Sequence, residues 1–141
     1  MDACGRILNI LCLSGIWCGD CVRSVPILRR VAEAAGKAVS LRILDRDAIP
    51  EVRDELRVLG AMRVPMAVFL TEDYHEIARY GDRPLAVYRH KAVTELGAAC
   101  PLPGAADPHA LAAETAEWLD LFERVVLMAR LAPPLRARHG D

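Results

Sequence analysis

The chain has 141 residues, a length typical of one domain, of which 53% are hydrophobic and 26% are charged. This composition excludes a wholly disordered chain, and the formal net charge of −1 gives no reason to expect nucleic acid or an anionic membrane as a partner. Five cysteines, of which only two are closely spaced, do not fit the disulfide framework of a small secreted protein. We therefore expect a globular protein of a reducing compartment, the cytoplasm.

Apolar runs and amphipathic patterns alternate along residues 6–97. Three apolar runs predict strands, and a fourth run follows the third after a turn as its antiparallel return. The predicted strands are 6–14, 39–44, 66–70 and 76–80. Helical spacing and helix-end residues predict three helices, over 19–35, 49–59 and 82–97. Because a helix connects the first two strands, those strands should be parallel, and the sheet is therefore expected to be mixed.

The last third of the chain predicts one further helix. Residues 99–107 are rich in Pro and Gly without periodicity, which is typical of a linker. Asp107 fits the cap of a helix over 108–131, whose apolar face we expect to pack on the same domain. Residues 132–141 are expected to form a flexible tail. The resulting division is a domain over 1–98, then the linker, the helix and the tail.

A cysteine pair lies where the first predicted strand ends and the first helix begins, in Trp17-Cys18-Gly19-Asp20-Cys21. A Cys at a helix N-terminus faces unpaired backbone N–H groups and the positive end of the helix dipole, and both favour a thiolate. The thiolate is the species that attacks a disulfide. The second Cys, one turn further along, can resolve the mixed disulfide that the first one forms. This spacing and location predict a redox site.

Three local patterns coincide in this part of the chain. Trp-Cys-Gly-x-Cys follows an apolar strand, Pro26-Ile27-Leu28 falls within the next helix, and Arg63-Val64-Pro65 precedes another apolar strand. In this arrangement the chain resembles the thioredoxin superfamily, over about residues 6–97. The resemblance implies an α/β, thioredoxin-like fold, with a central mixed sheet of about four strands flanked by helices. The C-terminal helix would be an addition to that fold.

The resemblance also implies roles for individual residues of a thiol–disulfide oxidoreductase. Cys18 would be the attacking thiol and Cys21 the resolving thiol, in a cycle that we expect to reduce protein disulfides. Pro65 would be a cis proline against the cysteine pair, Val64 would offer its backbone to an extended substrate, and Trp17 would form an apolar rim. The substrate would be a protein or small-molecule disulfide, and an external reductase or low-molecular-weight thiol would reduce the pair again. No cofactor, metal, nucleic acid or membrane is expected.

The sequence departs from the family at two positions near the pair. Gly19 and Asp20 separate the cysteines, and Asp20 stands where thioredoxins usually carry Pro. Its carboxylate favours the helix start but is a like charge beside a Cys18 thiolate, which it should destabilise. Because a destabilised thiolate makes the couple more reducing, we expect a reductase rather than an oxidase. Cys12 stands where family members usually carry a buried Asp, so the proton acceptor for the resolving thiol is not evident.

Two rival functions stay open at the level of the sequence. The first is a non-catalytic thioredoxin-fold module that binds a partner near the predicted cis proline. The second is a metal-binding protein that uses Cys18 and Cys21 across a dimer. Zinc takes about four ligands, often two such pairs or a pair with histidines. Cys4, Cys12 and Cys100 show no second paired spacing, which favours redox chemistry.

Overall fold

The computed structural model describes residues 5–99 and 110–140, which form four strands and five α-helices. The strands are β1 (Leu8–Ser14), β2 (Val39–Asp45), β3 (Met66–Leu70) and β4 (Glu76–Gly81). The α-helices are α1 (Gly19–Ala34), α2 (Pro50–Glu55), α3 (Leu85–Lys91), α4 (Ala110–Leu131) and α5 (Pro133–His139). Short helical turns of other pitch cover Gly36–Ala38 before β2 and Ala92–Ala99 after α3.

The sheet has the strand order β2-β1-β3-β4, with the apolar strand β1 at an interior position. β1 pairs with β2 in parallel and with β3 antiparallel, and β3 pairs antiparallel with β4. The parallel pair follows from the helical connection α1, whereas β3 and β4 are joined by a short turn. The predicted mixed sheet of four strands is therefore confirmed.

The two faces of the sheet bury different side chains, because alternate residues of a strand point to opposite sides. On one face, β1 and β3 pack against α1 and α4 in a cluster that we call the large core, whose members include Leu8, Ile10, Cys12, Leu28, Phe69, Trp118, Phe122 and Val125. The opposite face carries the small core, formed by Leu13, Cys21, Leu56, Val64, Met66 and Val68. Cys21 thus belongs to the small core, and Cys18 packs against it.

Two carboxylates attach α4 to the rest of the domain. Glu114 is buried, and it accepts hydrogen bonds from the Ser24 hydroxyl and, at 2.8 Å, from Nε of Arg23, both on α1. Glu117 accepts from the Tyr80 hydroxyl and, at 2.8 Å, from the backbone N–H of Leu85 in the first turn of α3. A buried carboxylate needs such partners, so α4 is fixed by polar contacts as well as by its apolar face. The predicted C-terminal helix is confirmed.

Two of the predicted boundaries are wrong. The helix predicted over 49–59 ends at Glu55, because the chain turns back at Leu59 and Gly60, where φ is positive, and Val58 bridges to Ala61. The flexible tail predicted over 132–141 is wrong, because helix α5 forms there. This helix starts with two prolines in its first turn, where no backbone N–H is needed, and its Arg138 binds Asp73 at 2.6 Å.

Two other expectations have no structural test. The linker over 99–107 lies almost entirely outside the described residues, and the division of the chain into a domain, a linker and a helix stays a prediction. In the described ranges, no helix combines the length and apolar character that crossing a bilayer requires.

Candidate dithiol active site

Cys18 occupies the N-cap position of α1. Its backbone is extended, with φ −97° and ψ 117°, and its Sγ accepts a hydrogen bond from the backbone N–H of Cys21 at 3.4 Å. The sulfur thus takes the place of the oxygen that a capping Ser or Asp would supply. Because the chain leaves β1 only four residues earlier, the sheet fixes where the first turn of α1 begins.

The loop before β3 brings Val64 to the same sulfur. The Cys18 thiol donates to the Val64 carbonyl oxygen at 3.6 Å, and the peptide bond from Val64 to Pro65 is cis. Val64 and Pro65 are buried, whereas Cys18 keeps part of its surface exposed. The structure therefore brings together the cysteine pair and the Val64-Pro65 segment, which are more than 40 residues apart in sequence.

Cys21 is in a different environment, with only 2% of its surface exposed. Burial raises the pKa of its thiol to about 11, and a hydrogen bond to the Cys18 side chain acts in the same direction. Hydrogen bonds from the Ser14 side chain and the Gly15 backbone act against this rise. The Cys21 thiol is therefore protonated at neutral pH. The role of Ser14 has no signal in the sequence, because it depends on where β1 ends relative to α1.

Cys12 lies behind this pair in the large core. Burial, with a smaller contribution from the nearby Cys21, raises the pKa of its thiol to about 12. The thiol donates to the Leu13 carbonyl oxygen at 3.7 Å. A thiol of this pKa stays protonated at neutral pH and cannot accept a proton there, so Cys12 does not replace the family's Asp. Cys4 and Cys100 lie outside the described residues.

Trp17 forms an exposed rim next to Cys18, with 58% of its surface accessible. Its ring packs over Gly15, where a Cβ atom would lie 2.5 Å from the ring and could not be accommodated. The Arg46 guanidinium makes a cation–π contact with the Trp17 ring, with its central carbon 4.5 Å from the ring centroid. The neighbouring side chains of Ile16 and Val22 are more than half exposed as well. An apolar surface therefore surrounds the accessible sulfur.

Arg46 is a site residue that sequence reasoning missed. Its Nη2 donates to Asp47 at 2.9 Å and its Nη1 to the Met62 carbonyl oxygen at 3.3 Å. It therefore links the turn after β2 to the loop that leads to Val64, while its face covers Trp17. An arginine in a charged turn carries no local signal of such a role, because the contact forms only when three loops meet.

The structure bears on the expected effect of Asp20. Its carboxylate is bound by Arg83 at 2.8 Å and by Arg23 at 3.5 Å, so its charge is compensated by two guanidinium groups. A compensated carboxylate opposes a neighbouring thiolate less than a free one would. The expected destabilisation of a Cys18 thiolate by Asp20 is therefore opposed by these ion pairs, and the effect of Asp20 on Cys18 stays a prediction. Gly19 has open space where a Cβ would lie, so packing does not require glycine there.

Asp82 extends this arrangement towards the Val64-Pro65 segment. It is buried, and its Oδ2 accepts from Nη1 of Arg63 at 2.9 Å and lies 3.6 Å from Nη1 of Arg83, while the Tyr88 hydroxyl donates to Oδ1. Burial alone would raise the pKa of Asp82, but hydrogen bonds from Tyr88 and Arg63 outweigh it and hold the pKa below its usual value. Asp82 is therefore a buried anion.

A family model described as thioredoxin matches residues 2–96. The chain belongs to the thioredoxin family. This match covers more than half of the sequence and includes the cysteine pair, the Val64-Pro65 segment and all four strands. The predicted thioredoxin-like α/β fold is thereby confirmed, with α4 and α5 lying beyond the matched residues. The comparison with curated proteins found no match.

Two solved structures share the fold of this chain over most of its length. A protein of unknown function from Pseudomonas aeruginosa has a TM-score of 0.58 and 22% identity, covering 84% of this chain and 67% of its own. An HIV epitope scaffold has a TM-score of 0.55 and 20% identity, again covering 84% and 67%. The germline thioredoxin Deadhead of Drosophila melanogaster has a TM-score of 0.48 and 18% identity, covering 67% and 86%. At these identities the likeness concerns the fold alone.

Within the described parts of the chain, no three His, Cys, Asp or Glu side chains are arranged to hold a metal ion.

Near the cysteine pair, the chain departs from the family pattern at Asp20 and Cys12. The first is paired with Arg23 of the same helix and with Arg83 from the segment between β4 and α3, and the second is a protonated thiol in the large core.

Proposed function

We propose that this protein is a thiol–disulfide oxidoreductase that reduces protein disulfides through a Cys18–Cys21 cycle. The observation that carries the proposal is the accessible Cys18 sulfur at the start of α1, between the Cys21 N–H and the Val64 carbonyl. This arrangement occurs in a thioredoxin-family fold, beside the cis Pro65. Family membership alone does not supply the activity, so it has to be measured.

In the first step the Cys18 thiolate attacks one sulfur of a substrate disulfide. A bond forms between Cys18 Sγ and that sulfur, the substrate S–S bond breaks, and the second substrate sulfur leaves as a thiolate that takes up a proton. The backbone N–H of Cys21, which already donates to Cys18 Sγ, favours the negative sulfur before attack. The partly exposed position of Cys18 gives the substrate access to it.

In the second step Cys21 attacks Cys18 Sγ in the mixed disulfide. Cys21 must first lose its proton, which is opposed mainly by its burial, the largest cause of its pKa of about 11, and to a smaller extent by Cys18. Once Cys18 is in a mixed disulfide its charge is gone, and the hydrogen bonds from Ser14 and Gly15 favour the Cys21 thiolate. Attack forms the bond between the Cys21 and Cys18 sulfurs and breaks the bond between Cys18 Sγ and the substrate sulfur, which leaves as a thiolate and takes up a proton to replace the one that Cys21 lost. Two electrons have passed to the substrate, and an external reductase or low-molecular-weight thiol returns them.

The substrate is expected to bind as an extended segment beside Val64. Backbone groups of the segment that precedes β3 would pair with it in the manner of strand addition, while Pro65 shapes the turn. Trp17, supported by Gly15 and Arg46, offers the apolar contact next to the reacting sulfur. These roles, the reducing partner and a cytoplasmic location stay predictions.

The direct test is reduction of insulin disulfides with dithiothreitol as the terminal reductant. Cys18→Ser should reduce the rate to that of dithiothreitol alone, and Cys21→Ser should stop turnover and accumulate mixed disulfides through Cys18. Cys12→Ala is the matched control and should keep the wild-type rate if it folds. Equal rates for wild type and Cys18→Ser would exclude the enzyme. Metal that is bound by the wild type and lost in Cys18→Ser would indicate the metal-binding alternative instead.

A further inference from the structure

The Asp20 carboxylate, between the two cysteines, is bound by arginines from two segments. Arg83, between β4 and α3, donates from Nε to Oδ2 at 2.8 Å, and Arg23 donates from Nη2 to Oδ1 at 3.5 Å. The Asp20 and Arg83 side chains keep only 22% and 26% of their exposure, so the pair is partly shielded from water. Shielding makes such a pair stronger than a fully exposed one. Arg83 is the closer of the two partners.

Arg23 cannot replace Arg83 in this position. Its Nε is directed to the buried Glu114 at 2.8 Å, a contact that holds its guanidinium towards α4. Its distance to Asp20 is correspondingly long at 3.5 Å. Loss of Arg83 would therefore leave the Asp20 charge, in the first turn of α1, with the longer Arg23 contact alone.

Arg83 is itself positioned from the other side of the site. Its Nη1 lies 3.6 Å from Oδ2 of Asp82, and the same oxygen accepts from Arg63 at 2.9 Å. Asp82 is only 4% exposed, so it holds both guanidinium groups in a fixed arrangement. Arg63 directly precedes Val64, whose carbonyl contacts the Cys18 sulfur. Charged contacts thus connect the turn between the cysteines to the Val64-Pro65 segment.

We propose that Arg83 is a positioning residue of the dithiol site, which acts through Asp20 to favour the reactive thiolate of Cys18. The inference rests on the proposed thiol–disulfide function for its biological meaning, but its physical content concerns the reactivity of Cys18 alone. With Arg83 in place, the Asp20 charge opposes the thiolate only weakly. Without it, the like charge of Asp20, two residues from the sulfur, is compensated only by the longer Arg23 contact and lowers the thiolate fraction.

The test is the rate at which iodoacetamide alkylates Cys18 at pH 7, followed by mass spectrometry of the reduced protein. Arg83→Gln should slow alkylation about threefold to tenfold, because a smaller fraction of Cys18 is then the thiolate that reacts. Arg83→Lys should recover most of the rate because it keeps the charge. Arg79→Gln is the matched control: it removes a surface arginine of β4 that pairs with Glu76 at 2.7 Å, and it should leave the rate unchanged.

The same substitution in Asp20→Asn protein separates the effect of the Asp20 charge from a structural effect of losing Arg83. In Asp20→Asn protein, Arg83→Gln should slow alkylation less than twofold, since the charge that Arg83 compensates is gone. Asp20→Asn alone should not slow the reaction. The inference is overturned if Arg83→Gln reacts like wild type, if it slows both backgrounds equally, or if Asp20→Asn slows alkylation. The last result is informative even if Arg83→Gln fails to fold.

Reduction potentials measured against glutathione give an independent readout. Arg83→Gln should have a more negative potential than wild type, because an opposed thiolate destabilises the reduced form. Alkylation requires neither a substrate nor turnover. A wild type that fails to reduce insulin would therefore remove the proposed function, while the alkylation rates would still decide the role of Arg83.

Discussion

The large core and the small core lie on opposite faces of one sheet, and they differ in their side chains and in their surroundings. The large core contains the rings of Phe69, Trp118 and Phe122, with Phe69 and Phe122 edge to face at 5.4 Å between centroids. The small core consists of aliphatic side chains, Met66 and Cys21, and it lies next to exposed apolar surface and charged loops. We therefore expect stability to be concentrated on the α4 side, whereas the Cys18 sulfur lies beside the smaller cluster of buried side chains.

The largest loss in the free energy of unfolding is expected from a cavity in the large core. Phe122→Ala removes a fully buried ring and should lower the free energy of unfolding by about 3–5 kcal/mol in urea titrations. Leu119→Ala, on the exposed side of the same helix, should change it by about 0.5 kcal/mol or less. Similar losses for the two variants would contradict a stabilising role for the buried face of α4 in the large core.

A smaller loss should follow when the polar attachment of α4 is weakened. Glu114→Gln removes the charge that pairs with Arg23 and should lower the free energy of unfolding by about 1–3 kcal/mol. Glu123→Gln, at an exposed position of α4, is the control and should be nearly neutral. If the two variants are equally stable, Glu114 does not attach the helix energetically.

The buried thiol of the small core should make stability depend on pH in the alkaline range. The folded-state pKa of Cys21 is about 11, above the 9.0 of a free thiol, so the stabilisation that the folded state gains from this protonated thiol is complete below pH 9. It is lost as pH rises through 9 to 11, because the unfolded chain releases this proton first. Wild type should lose about 1–2 kcal/mol more than Cys21→Ser between these pH values. Parallel pH profiles would show that Cys21 is not buried as a thiol.

The smallest effect is expected for a substitution of Trp17 in the apolar rim beside Cys18. Trp17→Ala should leave stability almost unchanged but slow insulin reduction about threefold to tenfold, as expected for about 1 kcal/mol of lost contact. Reduction of a small disulfide, which does not reach the rim, should keep its rate. Equal losses on both substrates would mean that Trp17 acts on Cys18 rather than on the substrate.

Much of the fold could be predicted because local patterns determine it. The bounds of β3 match the predicted 66–70, since its apolar run ends at turn residues on both sides. The ends of α2 and the existence of α5 were mispredicted, because positive φ at Leu59 and the contact of Arg138 with Asp73 depend on tertiary structure. Local spacing could place the cysteines at a helix start. It could not reveal that Asp20 is paired with Arg83, 63 residues away.

Glu117 shows why the family match and the folding unit need not end at the same residue. The matched residues stop at 96, yet the open N–H of Leu85 and the Tyr80 hydroxyl are both bound by this carboxylate from α4. Trp118, the next residue, packs on Tyr80 with ring centroids 4.7 Å apart. A chain cut at the family boundary would uncover the edge strand and the first turn of α3 together. Helix α4, although it lies beyond the matched residues, therefore covers part of the buried surface of this thioredoxin domain.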